Sequence, residues 1–158
     1  MHEGHADAIP CRDPESNVLP VCRELGIGFV PYSPLGRGFL TGAMTSTEGL
    51  AQDDFRRTLP RFQDEAMRSN LTLIGQLQQL AAGRGITLAQ LALAWLLQQD
   101  EHIVPIPGAR QIRHLEENAA AAAVTLSAAE LANLDAIFRD DSVQGARYAQ
   151  GDLALLER

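Results

Sequence analysis

Residues 27–38 read IGFVPYSPLGRG. Apolar, β-branched and aromatic residues from Ile27 to Tyr32 give way to Ser-Pro-Leu-Gly-Arg-Gly, so a short buried strand runs into a loop bracketed by glycines. Pro31 has no amide hydrogen, and regular pairing is expected to fade there. The carboxyl end of a strand is where α/β folds bind ligands. Glycines let a ligand approach the backbone, Ser33 offers a hydroxyl, and Arg37 offers a planar fork suited to phosphate or carboxylate. A plain tight turn with a solvated arginine accounts for the same residues equally well.

Working outward, His102–Pro107 (HIVPIP) reads as a second short strand. Gly108 and Ala109 turn it into a helix expected over Arg110–Ala123, with Ile112 and Leu115 facing inward. Free N–H groups at a helix start favour an anion, and Arg110, Arg113 and His114 add cationic or hydrogen-bonding groups within about one turn. Glu117 falls beneath Arg110 and His114 on the same face, beside Asn118. A solvated helix with ordinary charge pairs is the alternative. Two such loops at neighbouring strand ends argue for a joint anion site more strongly than either does alone. The glycine spacing fits neither the Walker P-loop nor the dinucleotide fingerprint of Rossmann folds.

Helices fill the intervals. Asn17–Leu25 is capped by Asn17, closed by Gly26, and places Val18, Leu19, Cys22 and Leu25 on one side. Leu71–Gly83 carries Ile74, Leu77 and Ala81 on one face. Thr87 with Gln90 and Ser127 with Glu130 spell capping boxes. The first opens the stripe Leu88, Leu91, Trp95 and Leu96; the second opens Leu131, Leu134 and Phe138. Gly38–Asn70 reads as a long polar connection, with Arg56, Arg57 and Arg61 either closing over a phosphate or solvated. Strands alternating with helices imply an α/β fold with a parallel sheet. Two parallel strands do not make a stable sheet, so the chain reads as part of a larger α/β structure.

Among the 158 residues, 20 acidic side chains oppose 13 basic ones, a net charge of −7 that argues against nucleic acid as the main partner. No apolar run approaches the ~20 residues that span a bilayer, and no signal peptide is recognisable, so no membrane partner is expected. Cys11 and Cys22 have no metal spacing and read as ordinary thiols of a cytoplasmic protein. His2, Glu3, His5 and Asp7 do not form the helix-borne zinc motif, and no metal is expected. All 13 basic residues are arginine: the chain contains no lysine.

The stretches NVLPVCRELGIGFVPYSPLGRGFLTG, DDFRRTLPRFQ, ITLAQLALAWLL, VPIPGARQIRHLEEN and QGARY together resemble the aldo-keto reductase superfamily. The likeness is closest to its NADP-dependent bacterial and plant branch and runs from about Arg12 to the C-terminus. Members are (β/α)8 TIM barrels of roughly twice this length that reduce aldehydes and ketones with NADPH and without metal. The resemblance implies a partial barrel, the last two to three βα units plus C-terminal helices, over residues 12–158, after an irregular segment 1–11. It makes Ile27–Tyr32 the seventh strand and Ile103–Ile106 the eighth.

The resemblance also implies a cofactor set. Tyr32 would stack on the nicotinamide. Ser33, Pro34, Leu35, Gly36, Arg37 and Gly38 would line the pyrophosphate. Gly108, Ala109, Arg110 and His114 would approach the 2′-phosphate, and Glu117 and Asn118 the adenine. The superfamily's Asp, Tyr, Lys and His tetrad belongs to the first half of the barrel, so no catalytic residue is expected here and the chain alone should be inactive. Where the sixth strand should read Gln-Ser-Glu-Tyr-Ser-Leu this chain has GHADAI, and Ala43 stands where Lys or Arg is common. The expected partners are NADPH and, to close the barrel, the chain itself or a separately encoded N-terminal half. A non-catalytic nucleotide-binding or assembly fragment is the alternative.

Overall fold

The computed structural model describes residues 12–138 and 142–149. Six α-helices form among them: α1 (Asp13–Ser16), α2 (Val18–Leu25), α3 (Asp64–Gly83), α4 (Leu88–Leu97), α5 (Ile112–Ala120) and α6 (Ala128–Ile137). Short 3₁₀ turns cover Gly36–Thr41, Phe55–Thr58, Pro60–Phe62 and Ala121–Ala123. The long polar connection is therefore ordered, and α3 begins seven residues earlier than the apolar stripe suggested.

The centre is α4. From Leu88 to Leu96 every residue but Gln90 is buried, so this helix is apolar nearly all round rather than striped. Both bonds of its capping box form: the Thr87 hydroxyl accepts from Gln90 N–H at 3.2 Å, and Gln90 Oε1 accepts from Thr87 N–H at 3.0 Å. The Ser127–Glu130 box opens α6 in the same way. Helix α3 packs Met67, Asn70, Ile74, Leu77 and Ala81 inward, an alternation of three- and four-residue steps. Leu19, Phe29, Ile103, Leu134 and Phe138 complete the core.

The two expected strands shrink to one parallel bridge between Phe29 and Ile103. Phe29 N–H donates to His102 O at 2.7 Å, and Val104 N–H donates to Phe29 O at 2.9 Å. Neither neighbouring rung can follow. On one side the His102 amide, which would donate to Ile27 O, donates instead to Asp100 Oδ1 at 2.9 Å, and on the other Pro31 has no hydrogen to give to Val104 O. No strand is formed among the described residues. The side chains match a half-covered pair: Phe29 and Ile103 point into the core, while Val30, Val104 and Ile106 are exposed.

Exposure corrects three further expectations. Ile112 and Leu115 on α5 are 75% and 61% exposed rather than inward, and Leu25 leaves its stripe for solvent. The helix after the second strand is also shorter than Arg110–Ala123. It starts at Ile112 and tightens into a 3₁₀ turn at Ala121. Amphipathic spacing marks these positions as seekers of a partner, and none of the described elements covers them.

Arg23 and His102 converge on Asp100, whose side chain is only 4% exposed. Hydrogen bonds from the His102 amide, the His102 ring and Arg23 hold its pKa well below the ordinary carboxylate range. Arg84, with Ser127, likewise holds Glu130 down to about 2. Folded-state pKa values below the unfolded ones mean that the unfolded chain binds the extra protons. This stability is fully present above the unfolded carboxylate pKa of about 4 and is lost as pH falls toward 2. The melting temperature is expected to drop through that window. Asp100→Asn should be less stable near neutrality and show a shallower acid slope by circular dichroism. Parallel slopes would remove Asp100 from the account.

Candidate functional site

The loop after Phe29 is bent by its own backbone. Ser33, Gly36, Arg37 and Gly38 all have positive φ: 51°, 56°, 56° and 95°. For the two glycines this is free, but for Ser33 and Arg37 it costs about 1 kcal/mol each. Buried Pro31 and Pro34 pin the turn from beneath. The Gly36 amide donates to Ser33 O at 2.8 Å and the Gly38 amide to Leu35 O at 3.0 Å. These two N–H groups are thus spent inside the turn. The tight turn of the alternative reading is thus present, but its arginine is not simply solvated: Arg37 is half-buried, its guanidinium 4.9 Å from the Tyr148 ring centre and 6.0 Å from that of Phe55. Tyr32 and Tyr148 share a hydroxyl–hydroxyl hydrogen bond of 2.9 Å.

The second loop leaves the parallel bridge at the same end as the first. Phe29 and Ile103 run side by side in one direction, so Tyr32–Gly38 and Pro107–Arg110 emerge together. Gly108, Ala109 and Arg110 are exposed, and a Cβ built on Gly108 would meet nothing within 4 Å. Arg110 lies two residues before α5 rather than within it. Gln111 occupies the N-cap without a side-chain bond to any backbone amide of the helix, and the first turn holds no acidic residue. Its Oε1 instead accepts from Arg113 Nε at 2.7 Å. Helices α4 and α6 close their own starts with capping boxes; α5 leaves its partial positive charge uncompensated. His114, Glu117 and Asn118 are half-buried along α5.

The third arginine cluster does a different job. Arg56 grips Asp54 in a two-pronged pair (2.9 and 2.7 Å) and donates to Arg37 O at 3.2 Å; its bonds to Asp54 hold that carboxyl down to about 2. Arg57 donates to the carbonyls of Ala51 (2.9 Å) and Leu50 (2.8 Å), and Arg61 to that of Gly145 (3.2 Å). Arg56 and Arg57 knit the connection together, Arg61 ties it to the tail, and none of the three stands open as a phosphate clamp. His2, Glu3, His5 and Asp7 lie outside the described residues, as does Cys11; Cys22 is a free thiol. Among the described residues no group of histidine, cysteine and carboxylate side chains is placed to hold a metal, and no single helix is long and apolar enough to cross a membrane.

The spacing of motifs in the sequence missed two contributors. Tyr148 closes over the loop from the far end of the chain, and Asn70 anchors the segment that delivers it. A signal for Asn70 was present: it is the one polar residue on the buried face of α3.

Comparison with known proteins gives a consistent outcome. The model of the aldo/keto reductase family matches residues 6–139. The NADP(+) aldo-keto reductase yakc of Schizosaccharomyces pombe is 45% identical over 138 residues, 87% of this chain and 41% of that protein. The glycerol dehydrogenase of Gluconobacter oxydans superposes with a TM-score of 0.76 at 26% identity, over 82% of this chain and 39% of that one. A Klebsiella pneumoniae aldo-keto reductase in complex with NADPH superposes with a TM-score of 0.59 at 26% identity, over 90% of this chain and 42% of that one. The chain thus spans about two fifths of the length of the relatives it matches.

Proposed function

Because the chain belongs to the aldo/keto reductase family, we propose that it is the cofactor-holding part of an NADP(H)-dependent oxidoreductase acting on aldehydes and ketones. The observation that carries the reading is the parallel bridge between Phe29 and Ile103, which brings both anion-favouring loops to one edge. Relatives described with NADP(+) or NADPH support the cofactor.

In this reading Tyr32 packs on the nicotinamide, and Ser33 to Gly38 follow the pyrophosphate. Gly108, Ala109, Arg110 and His114 meet the 2′-phosphate, and Glu117 with Asn118 meets the adenine. The residues fit such a group: Arg110 is exposed, Gly108 leaves open space, and the uncapped start of α5 favours negative charge. When bound, NADPH supplies a hydride to the carbonyl carbon. This chain's residues bind and orient; with no lysine, they do not supply the family's Asp, Tyr, Lys and His proton machinery.

The exposed apolar side chains Val30, Val104, Ile106, Ile112 and Leu115 support a second element of the proposal. They form the unfilled side of the barrel, to be covered by an N-terminal half, encoded separately or with this one, or by a second copy of the chain. A cytoplasmic location belongs to the same proposal. A binding module that carries no chemistry is the reading to fall back on if no such half exists.

Calorimetry with NADPH tests the assignment. Micromolar binding is expected, with Arg110→Ala weakening NADPH about tenfold and NADH much less, since only the former has the extra phosphate. No heat at millimolar NADPH would overturn the cofactor site. Turnover of a general aldehyde by the pure chain would overturn the assignment of the proton chemistry to another half.

A further inference from the structure

The segment 142–149 lies against the loop from the opposite end of the chain, and Gln144, Gly145 and Tyr148 each make specific contacts that seat it. Asn70, 4% exposed, donates to Gln144 O at 2.9 Å and accepts from the Gln144 amide at 2.8 Å. Gly145 follows at φ +86°, so close to the chain at Pro60 that an added Cβ would fall 2.8 Å from the Pro60 carbonyl and 2.9 Å from Arg61 N. Three residues on, Tyr148 reaches Tyr32, 116 positions away in the sequence, and lays its ring against the Arg37 guanidinium.

We propose that this segment is a latch that preorganises the dinucleotide loop, with Tyr148 as the positioning residue that ties Tyr32 to Arg37. The dinucleotide part rests on the function proposed above. Ser33 and Arg37 bear side chains in left-handed backbone, a conformation that persists only where surroundings over-determine it. Arg56 holds the Arg37 carbonyl from within the connection; Tyr148 holds the Arg37 side chain and the strand-end tyrosine from outside it. With the latch undone the loop relaxes, and a dinucleotide must reorder it on binding. By linkage, bound dinucleotide tightens the latch in return.

The test uses the full chain as wild type, Tyr148→Phe, Tyr148→Ala and Gly145→Ala. The first readout, tryptic cleavage between Arg37 and Gly38, needs no cofactor. Tyr148→Ala and Gly145→Ala are expected to speed it about tenfold, while cleavage between Arg84 and Gly85, remote from the latch, keeps its rate. Tyr148→Phe keeps the ring against Arg37 and should restore most of the protection. The second readout is the ¹⁹F spectrum of 3-fluorotyrosine-labelled chain, which has two tyrosines and so two signals. Gly145→Ala should move the Tyr32 signal although it leaves both tyrosines in place.

Equal cleavage at Arg37 in wild type and both disrupted chains overturns the latch, as does cleavage that rises equally at Arg84. NADPH affinity is expected to fall about tenfold in Tyr148→Ala. Unchanged affinity overturns the positioning role. A wild-type chain that binds no NADPH overturns the cofactor reading instead, and the cleavage rates still decide the latch.

Discussion

Trp95→Ala is expected to destabilise the chain by about 3–5 kcal/mol, a large part of the total stability of a domain this size. Trp95 is 3% exposed in the helix at the centre of the core. Its ring also carries the Arg12 guanidinium, 5.9 Å from the ring centre, and its Nε1–H donates weakly to Asp135 Oδ1 at 3.4 Å. Asp135 in turn accepts from Arg12 at 3.1 Å, so the truncation leaves an ion pair beside a cavity. The melting temperature should fall by roughly 10 °C or more. Trp95 is the sole tryptophan, so the melt must be followed by circular dichroism rather than by fluorescence. Trp95→Phe should recover part of the loss. A melt of Trp95→Ala within a degree or two of wild type would show that α4 is not the keystone of the core.

Asn70→Ala ranks second, at about 1–3 kcal/mol. The position is buried, and both Asn70 amide atoms bond to the Gln144 backbone. Losing them strips the tail of its anchor and leaves a small void on the buried face of α3. Asn70→Leu refills the void without restoring the bonds, which separates the two contributions. It should recover stability yet leave the Gln144 amide exchanging freely with solvent in hydrogen-exchange measurements. Equal protection of that amide in wild type and Asn70→Leu would mean that the tail is held by something other than Asn70.

Much of the fold was legible because short-range physics writes it locally. Both capping boxes, the Gly26 stop and the Ile74–Leu77–Ala81 face formed as their residues require. The family was legible too, because several long motifs occur in order, and the family match over residues 6–139 bears it out. The strands were not. IGFVPY and HIVPIP have the composition of buried strands, but a strand is a relation between neighbours, and here each finds one neighbour and one bridge. Ile112 and Leu115 erred for a related reason: periodicity shows which face wants burial, not whether anything is there to bury it.

The sequence by itself determined the capped helix starts at Asn17, Thr87 and Ser127, the Gly26 stop, the family, the arginine-only basic set and the glycine-bracketed loop, since each depends on residue type and near neighbours. Only the tertiary structure decided which arginines are spent. Arg56 and Arg57 hold their own connection, Arg61 ties it to Gly145 of the tail, Arg37 lies against Tyr148, and Arg110 is exposed at the strand end. A guanidinium's role is set by what lies within a few ångströms of it, and for Arg37 that neighbour comes from the far end of the chain.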